Sequence, residues 1–434
     1  MNHVSITERP LAQVLARFTA WLDRYGETSF DHQSYFAGPV GGRAKAFYYR
    51  HPKLGTLAVA PMIASEALLP SARRLFWHKQ RFPIADAHYA MGFAALARFD
   101  DAGGTNYRRA LHFLDVLEHT RCPGYQRHGW GYPFDWVTRT GVMKAQTPLI
   151  TSTAYIYEAF EAVYRLDGQQ RWLAVMESIA EHALLDFPDK AQGPDAACCG
   201  YNPHDGEADV VNASAYRAFL LFSAARRFGR DDCRRAAERN LAYVLDAQSS
   251  DGSWRYATDG VRNFVDHFHT CFVLKSLAKI EALGGIESTR LRAAIEAGAR
   301  YYVHHLFDEN GLPRPFARAP RLTVYRHELY DYAECINLCT LLQGRFAEVD
   351  ARLRSTLDDL MHRWIKRDGS FRSRRLLLGW DDVPMHRWAQ SQIFRSLALL
   401  QCSGAAGGRE AQEEQTGIAV PASSARATAA QPVH

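Results

Sequence analysis

The sequence predicts an all-α protein: an α/α toroid of six helical hairpins in inner and outer rings, with short loops or β-hairpins on one rim. Three observations predict it. Two kinds of helical segment alternate along the chain, one amphipathic and the other apolar on nearly every side. The apolar kind opens six times at a near-constant step, and a Gly-rich or aromatic turn precedes five of the six openings. A helix with one apolar stripe buries one face, whereas a helix that is apolar all round must be enclosed. The alternation therefore reads as outer helices packed around inner ones.

In chain order, residues 10–25 carry Leu11, Val14, Leu15, Phe18 and Leu22 at helical spacing. Residues 26–53 set Gly38, Gly41 and Gly42 among Tyr35, Phe36, Phe47, Tyr48 and Tyr49, and read as a packed aromatic and Gly-rich loop covering one face. Amphipathic outer segments follow, with stripes such as Tyr107, Ala110, Leu111, Leu114 and Leu117, or Val349, Leu353, Leu357, Leu360 and Trp364. The inner kind covers residues 155–164, 213–228, 268–280 and 333–342 most clearly. Its openings fall near Asp86, Thr151, Asn212, His267, Tyr330 and Arg387, at steps of 55 to 65 residues. Each step holds two helices and a loop, the signature of an internal repeat. The preceding turns are Trp130-Gly131-Tyr132, Gly200-Tyr201-Asn202, Gly252-Ser253-Trp254, Gly311-Leu312-Pro313 and Gly369-Ser370-Phe371. Residues 1–402 are thus expected to form a single toroid domain. Residues 403–434 have no apolar period and read as a disordered tail, unable to offset the entropy of ordering.

Composition excludes several functions. Among 434 residues, 52 Lys and Arg face 47 Asp and Glu, an excess of only +5 with no basic block, which argues against a nucleic-acid partner. No segment approaches the roughly 18 to 20 apolar residues that span a bilayer, and the N-terminal stretch has no uninterrupted apolar run. The expectation is a cytoplasmic protein with no transmembrane segment. Eight dispersed cysteines without a CxxC pair suggest reduced thiols. Cys335 and Cys339 lie four apart, as two metal ligands would, but small buried thiols account for them as well. No metal and no other cofactor is expected.

Residues Gln248-Ser249-Ser250-Asp251-Gly252-Ser253-Trp254 resemble the QxxDGxW repeat of the toroids that include terpenoid cyclases and protein prenyltransferases; Asp368-Gly369-Ser370-Phe371 keeps part of it. The Asp-x-Asp-Asp acid motif of class II terpenoid cyclases is absent, which disfavours proton-initiated polyene cyclisation. A wider resemblance, over about residues 30–400, is to the VpsJ-like proteins associated with bacterial exopolysaccharide biosynthesis. It rests on the stretch Phe82-Pro83-Ile84-Ala85-Asp86-Ala87-His88, on Val265-Asp266-His267-Phe268-His269-Thr270, and on Tyr330-Asp331-Tyr332-Ala333-Glu334. This resemblance implies a cytoplasmic toroid, terpenoid-cyclase-like or six-hairpin-glycosidase-like in fold, with a polysaccharide role. It brings no catalytic residues with it.

Sugar chemistry needs either two carboxylates flanking a glycosidic bond, or an acid and a base that move a proton alpha to a carboxylate. The candidates at the inner-helix openings are Asp86, His88, Asp266, His269, Asp331 and Glu334. Asp86 and Asp266 also suit helix N-caps, and Asp331 with Glu334 shares one helix face, as catalytic or Arg-paired carboxylates would. His267 and His269 are two apart and point in different directions, so at most one faces a cavity. Sugar contacts are expected from Trp130, Tyr132, Asn212, Trp254, His267, Tyr330 and Trp388, the aromatic rings by stacking or simply by packing. Two functions follow. One is a lyase, epimerase or hydrolase acting on a uronate-containing oligosaccharide or polysaccharide, or on its lipid-linked precursor. The other is a non-catalytic glycan-binding scaffold or regulator of the synthesis machinery.

Overall fold

The computed structural model describes residues 8–98, 104–139, 141–204, 209–284, 289–320 and 323–416. It begins with α1 (Glu8–Tyr25), α2 (Ser34–Ala37), α3 (Pro39–Arg50) and α4 (Pro52–Leu68), then a 3₁₀ turn at Pro70–Leu75. Hairpins follow in order: α5 (Pro83–Ala97) with α6 (Thr105–His119), α7 (Ile150–Asp167) with α8 (Gln170–Leu185), and α9 (Val211–Phe228) with α10 (Asp231–Asp246). Then come α11 (His267–Leu283) with α12 (Thr289–His305), α13 (Leu329–Leu341) with α14 (Ala347–Asp359), and α15 (Ser391–Thr416). Burial separates the two kinds. Helix α9 is buried without interruption from Val211 to Ala225, whereas α6 buries only Ala110, Phe113, Leu114 and Leu117. Each fully buried Leu, Ile, Val or Phe contributes about 1.5–3 kcal/mol, so the inner helices are held chiefly by enclosure.

The odd-numbered helices α5, α7, α9, α11, α13 and α15 pack each on the next, and α15 packs on α5, closing the inner ring. Helices α6, α8, α10, α12 and α14 cover their preceding partners from outside, and α1 covers α15. The sixth hairpin is therefore made from the two ends of the chain. This is the α/α toroid that the alternation predicts.

A backbone hydrogen bond repeats around the rim. The first N–H of an inner helix has no intrahelical acceptor, and here it donates to the loop of the next hairpin. Ile150 donates to the Tyr201 carbonyl at 3.2 Å, Val211 to Tyr256 at 3.1 Å, His267 to Pro315 at 2.9 Å and Leu329 to Ser373 at 3.0 Å. Across the closure, the His386 N–H donates to Ser29 Oγ at 2.8 Å. Short antiparallel pairs lie in the loops: β1 (Trp136–Val137) with β2 (Val142–Met143), β3 (Asp189–Ala191) with β4 (Ala197–Cys199), and β5 (Val265–Asp266) with β6 (Phe316–Arg318). A three-stranded sheet joins β7 (Tyr325–Glu328), β8 (Arg374–Leu376) and β9 (Trp380–Asp381).

The QxxDGxW turn is a packing wedge. Asp251 Oδ1 accepts from the Ser253 N–H and hydroxyl, and Trp254 Nε1 donates to the Val244 carbonyl at 2.9 Å. Gly252 has φ +91°, and a Cβ there would sit 2.4 Å from the Ala297 carbonyl oxygen, so only Gly brings this turn against α12. The sister turn repeats the device. Asp368 Oδ1 accepts from the Ser370 N–H and hydroxyl, and Gly369, at φ +97°, lies against the Arg17 carbonyl of α1.

Residues 26–53 differ from the expected loop, because most of them form α2, α3 and the start of the α3–α4 hairpin. Pro39 and Pro52 open α3 and α4, a position that tolerates a missing N–H. A Cβ at Gly41 would lie 1.8 Å from the Tyr35 carbonyl oxygen, and one at Gly55 would lie 2.2 Å from Tyr48 Cα. These glycines let helices touch rather than form a loop. At the other end, α15 is helical to Thr416, past the boundary expected at 402, and residues 417–434 of the expected tail lie outside the described residues. Among the described residues no helix is long and apolar enough to cross a membrane.

Candidate active site

The first turns of α11 and α13 bring the most chemistry together. Asp266 caps α11, its Oδ1 accepting from the His269 N–H at 3.2 Å, while Oδ2 lies 2.6 Å from His269 Nδ1. One carboxylate thus caps the helix and orients the imidazole. Facing a carboxylate, Nδ1 is assigned as the donor of this contact, which leaves Nε2 as the ring nitrogen not engaged by Asp266. The Asp266 side chain is 2 % exposed and that of His269 is 20 % exposed, so solvent reaches the ring but not its partner.

Asp331, in the first turn of α13, is fully buried, and neither of its oxygens has a hydrogen-bond partner. Burial pushes its carboxyl well above the usual range; the nearby Glu328 and Asp266 carboxylates push the same way, against Arg374. Burial thus favours its protonated form, with the Asp266 carboxylate near enough to act in the same direction. An aromatic wall stands next to them. Phe268 stacks on Tyr330 at 4.8 Å, Tyr330 lies parallel to Trp388 at 6.1 Å, and Tyr256 meets His269 edge-on at 4.6 Å. Phe268, His269, Trp388, Tyr201 and Tyr256 are each partly exposed, which makes this end the open mouth of the ring. Asn212, in the first turn of α9, is 2 % exposed with both amide atoms unpartnered.

Below the mouth the axis is filled by a buried polar core. The Lys275 ammonium pairs with the Glu334 carboxylate and donates to the Tyr155 hydroxyl at 3.2 Å, which also accepts from Tyr216 at 2.7 Å. His88 sits edge-on to Tyr155 at 4.5 Å, with Arg395 Nη1 3.3 Å from its Nδ1. Burial, with Arg395, Lys275 and Lys279 nearby, holds His88 well below its ordinary pKa and hence neutral. Glu158 completes the set, paired with Lys279 and 3.5 Å from Arg395.

Of the residues the sequence singles out, Asp266, His269, Tyr330 and Trp388 lie at the mouth, and Asp331 is fully buried in the first turn of α13. His88 and Glu334 lie in the core beneath it. Asp86 is gripped by Arg81 through both oxygens, at 3.0 and 3.2 Å, and burial nevertheless pushes its carboxyl up to about 7. His267 is fully buried and faces outward, with Nδ1 on the Leu306 carbonyl and Nε2 2.9 Å from the Tyr302 hydroxyl. Trp130 is fully buried, its Nε1 donating to the Leu117 carbonyl at 2.7 Å, and Trp254 is buried in its wedge; neither ring offers a face to a sugar. Tyr132 lies buried under the Arg387 guanidinium. The sequence reading passed over Phe268, Tyr155, Tyr216 and Lys275. Lys275 did leave a signal, because a lone Lys inside an all-apolar helix must find a buried partner.

A surface cleft of about 620 Å³ between α1 and α6 lies on the outer ring, away from the mouth. Its charges satisfy one another, Arg109 with Asp23 at 2.7 Å and His112 with Glu27 at 2.8 Å, which marks a seam between outer helices. The cysteines are free thiols, and Cys335 Sγ lies 3.8 Å from Cys339 Sγ. Among the described residues no group of three or more His, Cys, Asp or Glu side chains is placed to hold a metal ion.

No family model and no curated protein sequence matches the chain. Solved structures do. Cellobiose 2-epimerase from Spirochaeta thermophila superposes with a TM-score of 0.57 at 14% identity, over 76% of this chain and 87% of that one. A D-mannose isomerase gives 0.54 at 10% identity, over 75% and 88%. An α-1,6-mannanase from Salegentibacter gives 0.54 at 11% identity, over 76% and 90%. At such identities the likeness shows the fold alone, an α/α toroid.

Proposed function

We propose that the chain is a carbohydrate-active enzyme that works by proton transfer at a sugar carbon in the mouth of the toroid, as an epimerase or lyase of an acidic glycan. The observation that carries this reading is the oriented His269–Asp266 pair, with the buried, unpartnered carboxyl of Asp331 in the first turn of the neighbouring helix α13. His269 Nε2 takes a proton from the carbon alpha to a carboxylate, and Asp331 donates a proton to the oxygen on which charge develops. When the flattened intermediate turns its other face to the imidazolium, return of the proton from His269 gives an epimer; expulsion of the beta substituent, which takes the proton held on His269, gives an unsaturated sugar; in both, collapse of the enol returns the borrowed proton to Asp331. Phe268 and Trp388, partly exposed and backed by the buried Tyr330, supply faces for sugar rings, and Asn212 supplies an amide for a hydroxyl. Arg387, held by the buried Asp31 through Nε at 2.9 Å and Nη2 at 2.6 Å, keeps only Nη1 unpartnered, and that N–H is the candidate for a uronate oxygen. A glycosidase fits less well, since Asp266 is already engaged with His269 and the helix terminus.

The enzymes of similar fold act on sugars by their descriptions, and the resemblance to VpsJ-like proteins supports a polysaccharide of exopolysaccharide biosynthesis, in the cytoplasm, as the setting. The test is incubation of the protein with uronate-containing and neutral oligosaccharides in D₂O. Deuterium at the alpha carbon, or ultraviolet absorbance of an unsaturated uronate, is the expected result. New reducing ends without either would replace this reading by hydrolysis, and binding without any turnover would replace it by a glycan-holding scaffold.

A further inference from the structure

The outward face of the α3–α4 hairpin and the turn after it breaks the pattern of every other outer surface. Eight of the fourteen large apolar side chains exposed among the described residues fall between positions 40 and 75, including Val40 at 73%, Leu57 at 72% and Leu75 at 87% exposure. Along α4 they make a stripe. Leu54, Leu57, Pro61, Ala64 and Leu68 recur at steps of three and four and are all exposed, while Gly55, Met62 and Glu66 face inward and are buried. An outer helix of a water-facing toroid carries charges on that side, as α6 and α14 do.

The charges around the stripe have one sign. Residues 39–75 contain six Lys or Arg and a single acid, Glu66, so this short stretch alone has the +5 excess of the whole chain. Glu66 is buried and paired with Arg374 at 2.5 Å, and Arg73 is buried and paired with Asp381. The exposed ionic side chains of the hairpin and turn, Arg43, Arg50, Lys53 and Arg74, are all basic. Apolar stripe and basic flank together are the features of a helix that lies in a bilayer interface and is drawn there by anionic headgroups.

We infer that the α3–α4 hairpin docks the protein onto an anionic phospholipid surface, with Leu54, Leu57 and Leu68 entering the headgroup boundary and Arg43, Arg50 and Lys53 facing lipid phosphates. A second copy of the chain is the less suitable occupant. A two-fold contact sets a patch against itself, and here it would bring cations against cations with no exposed acid to receive them. The hairpin is rigidly joined to the mouth, because Arg374 holds Glu66 on one side and Glu328, the residue that precedes α13, on the other at 2.8 Å. Docking would thus place the mouth near a membrane, independently of which reaction occurs there.

The experiment is flotation of the full chain with vesicles of phosphatidylcholine alone and of phosphatidylcholine with phosphatidylglycerol in equal parts. The expected result is co-flotation with the anionic vesicles and at least a tenfold lower bound fraction with the neutral ones. Leu54→Ser with Leu57→Ser, and separately Arg43→Glu with Lys53→Glu, should each abolish it while leaving the melting temperature and helical circular dichroism unchanged; were either pair to unfold the chain, the single Leu57→Ser variant should still reduce binding severalfold. No co-flotation of the native protein, equal binding to neutral vesicles, or binding that survives both sets of substitutions in folded protein overturns the inference. A dimer in light scattering that Leu57→Ser converts to monomer, with no vesicle binding, would assign the face to a second copy instead.

Discussion

The Asp266 carboxylate lies 2.6 Å from His269 Nδ1 and 3.2 Å from the His269 backbone N–H, so it caps α11 and orients the imidazole at once. The two roles separate under mutation. Asn caps a helix as well as Asp does, but it brings no negative charge to the imidazole that it would orient. Asp266→Asn should leave the unfolding free energy within about 0.5 kcal/mol and lower turnover on the responsive oligosaccharide by about 10²-fold or more. Asp266→Ala should in addition cost about 1 kcal/mol. Denaturant unfolding and deuterium exchange on the same samples check both; full turnover in a folded Asp266→Asn protein would restrict this carboxylate to capping.

Asp331 makes stability depend on pH in a defined direction. Its folded pKa is raised, so the folded chain keeps a proton that the unfolded chain releases above about 3.9. The resulting contribution is fully present below that value and is lost as pH rises through the folded pKa. Asp331→Asn removes it. The variant should gain in stability on the native protein between pH 4 and pH 7, measured by urea unfolding at both, while losing turnover. A constant difference across that range would mean that Asp331 is ionised in the fold.

Lys275 and Glu334 pair across α11 and α13 with almost no exposure. Removing one partner of a buried pair leaves a charge without compensation, so Lys275→Met should cost about 3–5 kcal/mol. Adding Glu334→Leu should recover most of that loss, because the pair gains little over apolar residues of similar volume. A double-mutant cycle by chemical denaturation tests this. An additive outcome would place the two groups out of contact.

Trp254 and Gly298 meet inside the turn wedge, where a Cβ on Gly298 would lie 2.5 Å from the indole. Gly298→Ala should therefore cost about 1–3 kcal/mol by overpacking. Trp254→Phe should lower the melting temperature and leave the KM for sugar unchanged. A raised KM with unchanged stability would instead make Trp254 a sugar platform.

Much of the architecture was legible because enclosure leaves a mark on composition. Helix α9 is apolar on all sides because it is buried on all sides, and α6 is striped because one face meets water. Openings read near Thr151, Asn212, His267 and Tyr330 fall within one residue of the observed starts at Ile150, Val211, His267 and Leu329. Residues 26–53 misled for a physical reason. Gly38, Gly41 and Gly42 give the stretch the composition of a loop, but at Gly41 the missing Cβ is a contact between helices, and only the packed neighbours reveal it.

The candidate site was legible only in part. Asp266, His269 and Asp331 stood out as polar groups at apolar helix starts, but their sister residues stood out equally and serve other ends. Asp86 is tied to Arg81, His267 to Tyr302 and Leu306, and Trp130 to Leu117. Sequence by itself determined the helix type, the sixfold repeat and the end of the ring at which polar groups collect, because these follow from periodicity along one chain. Which polar groups face the mouth was decided by the tertiary structure alone. A residue's direction on an inner helix depends on that helix's rotation against both neighbours, and those neighbours lie some 60 residues away in either direction along the chain, or, for α5 and α15, at its opposite end.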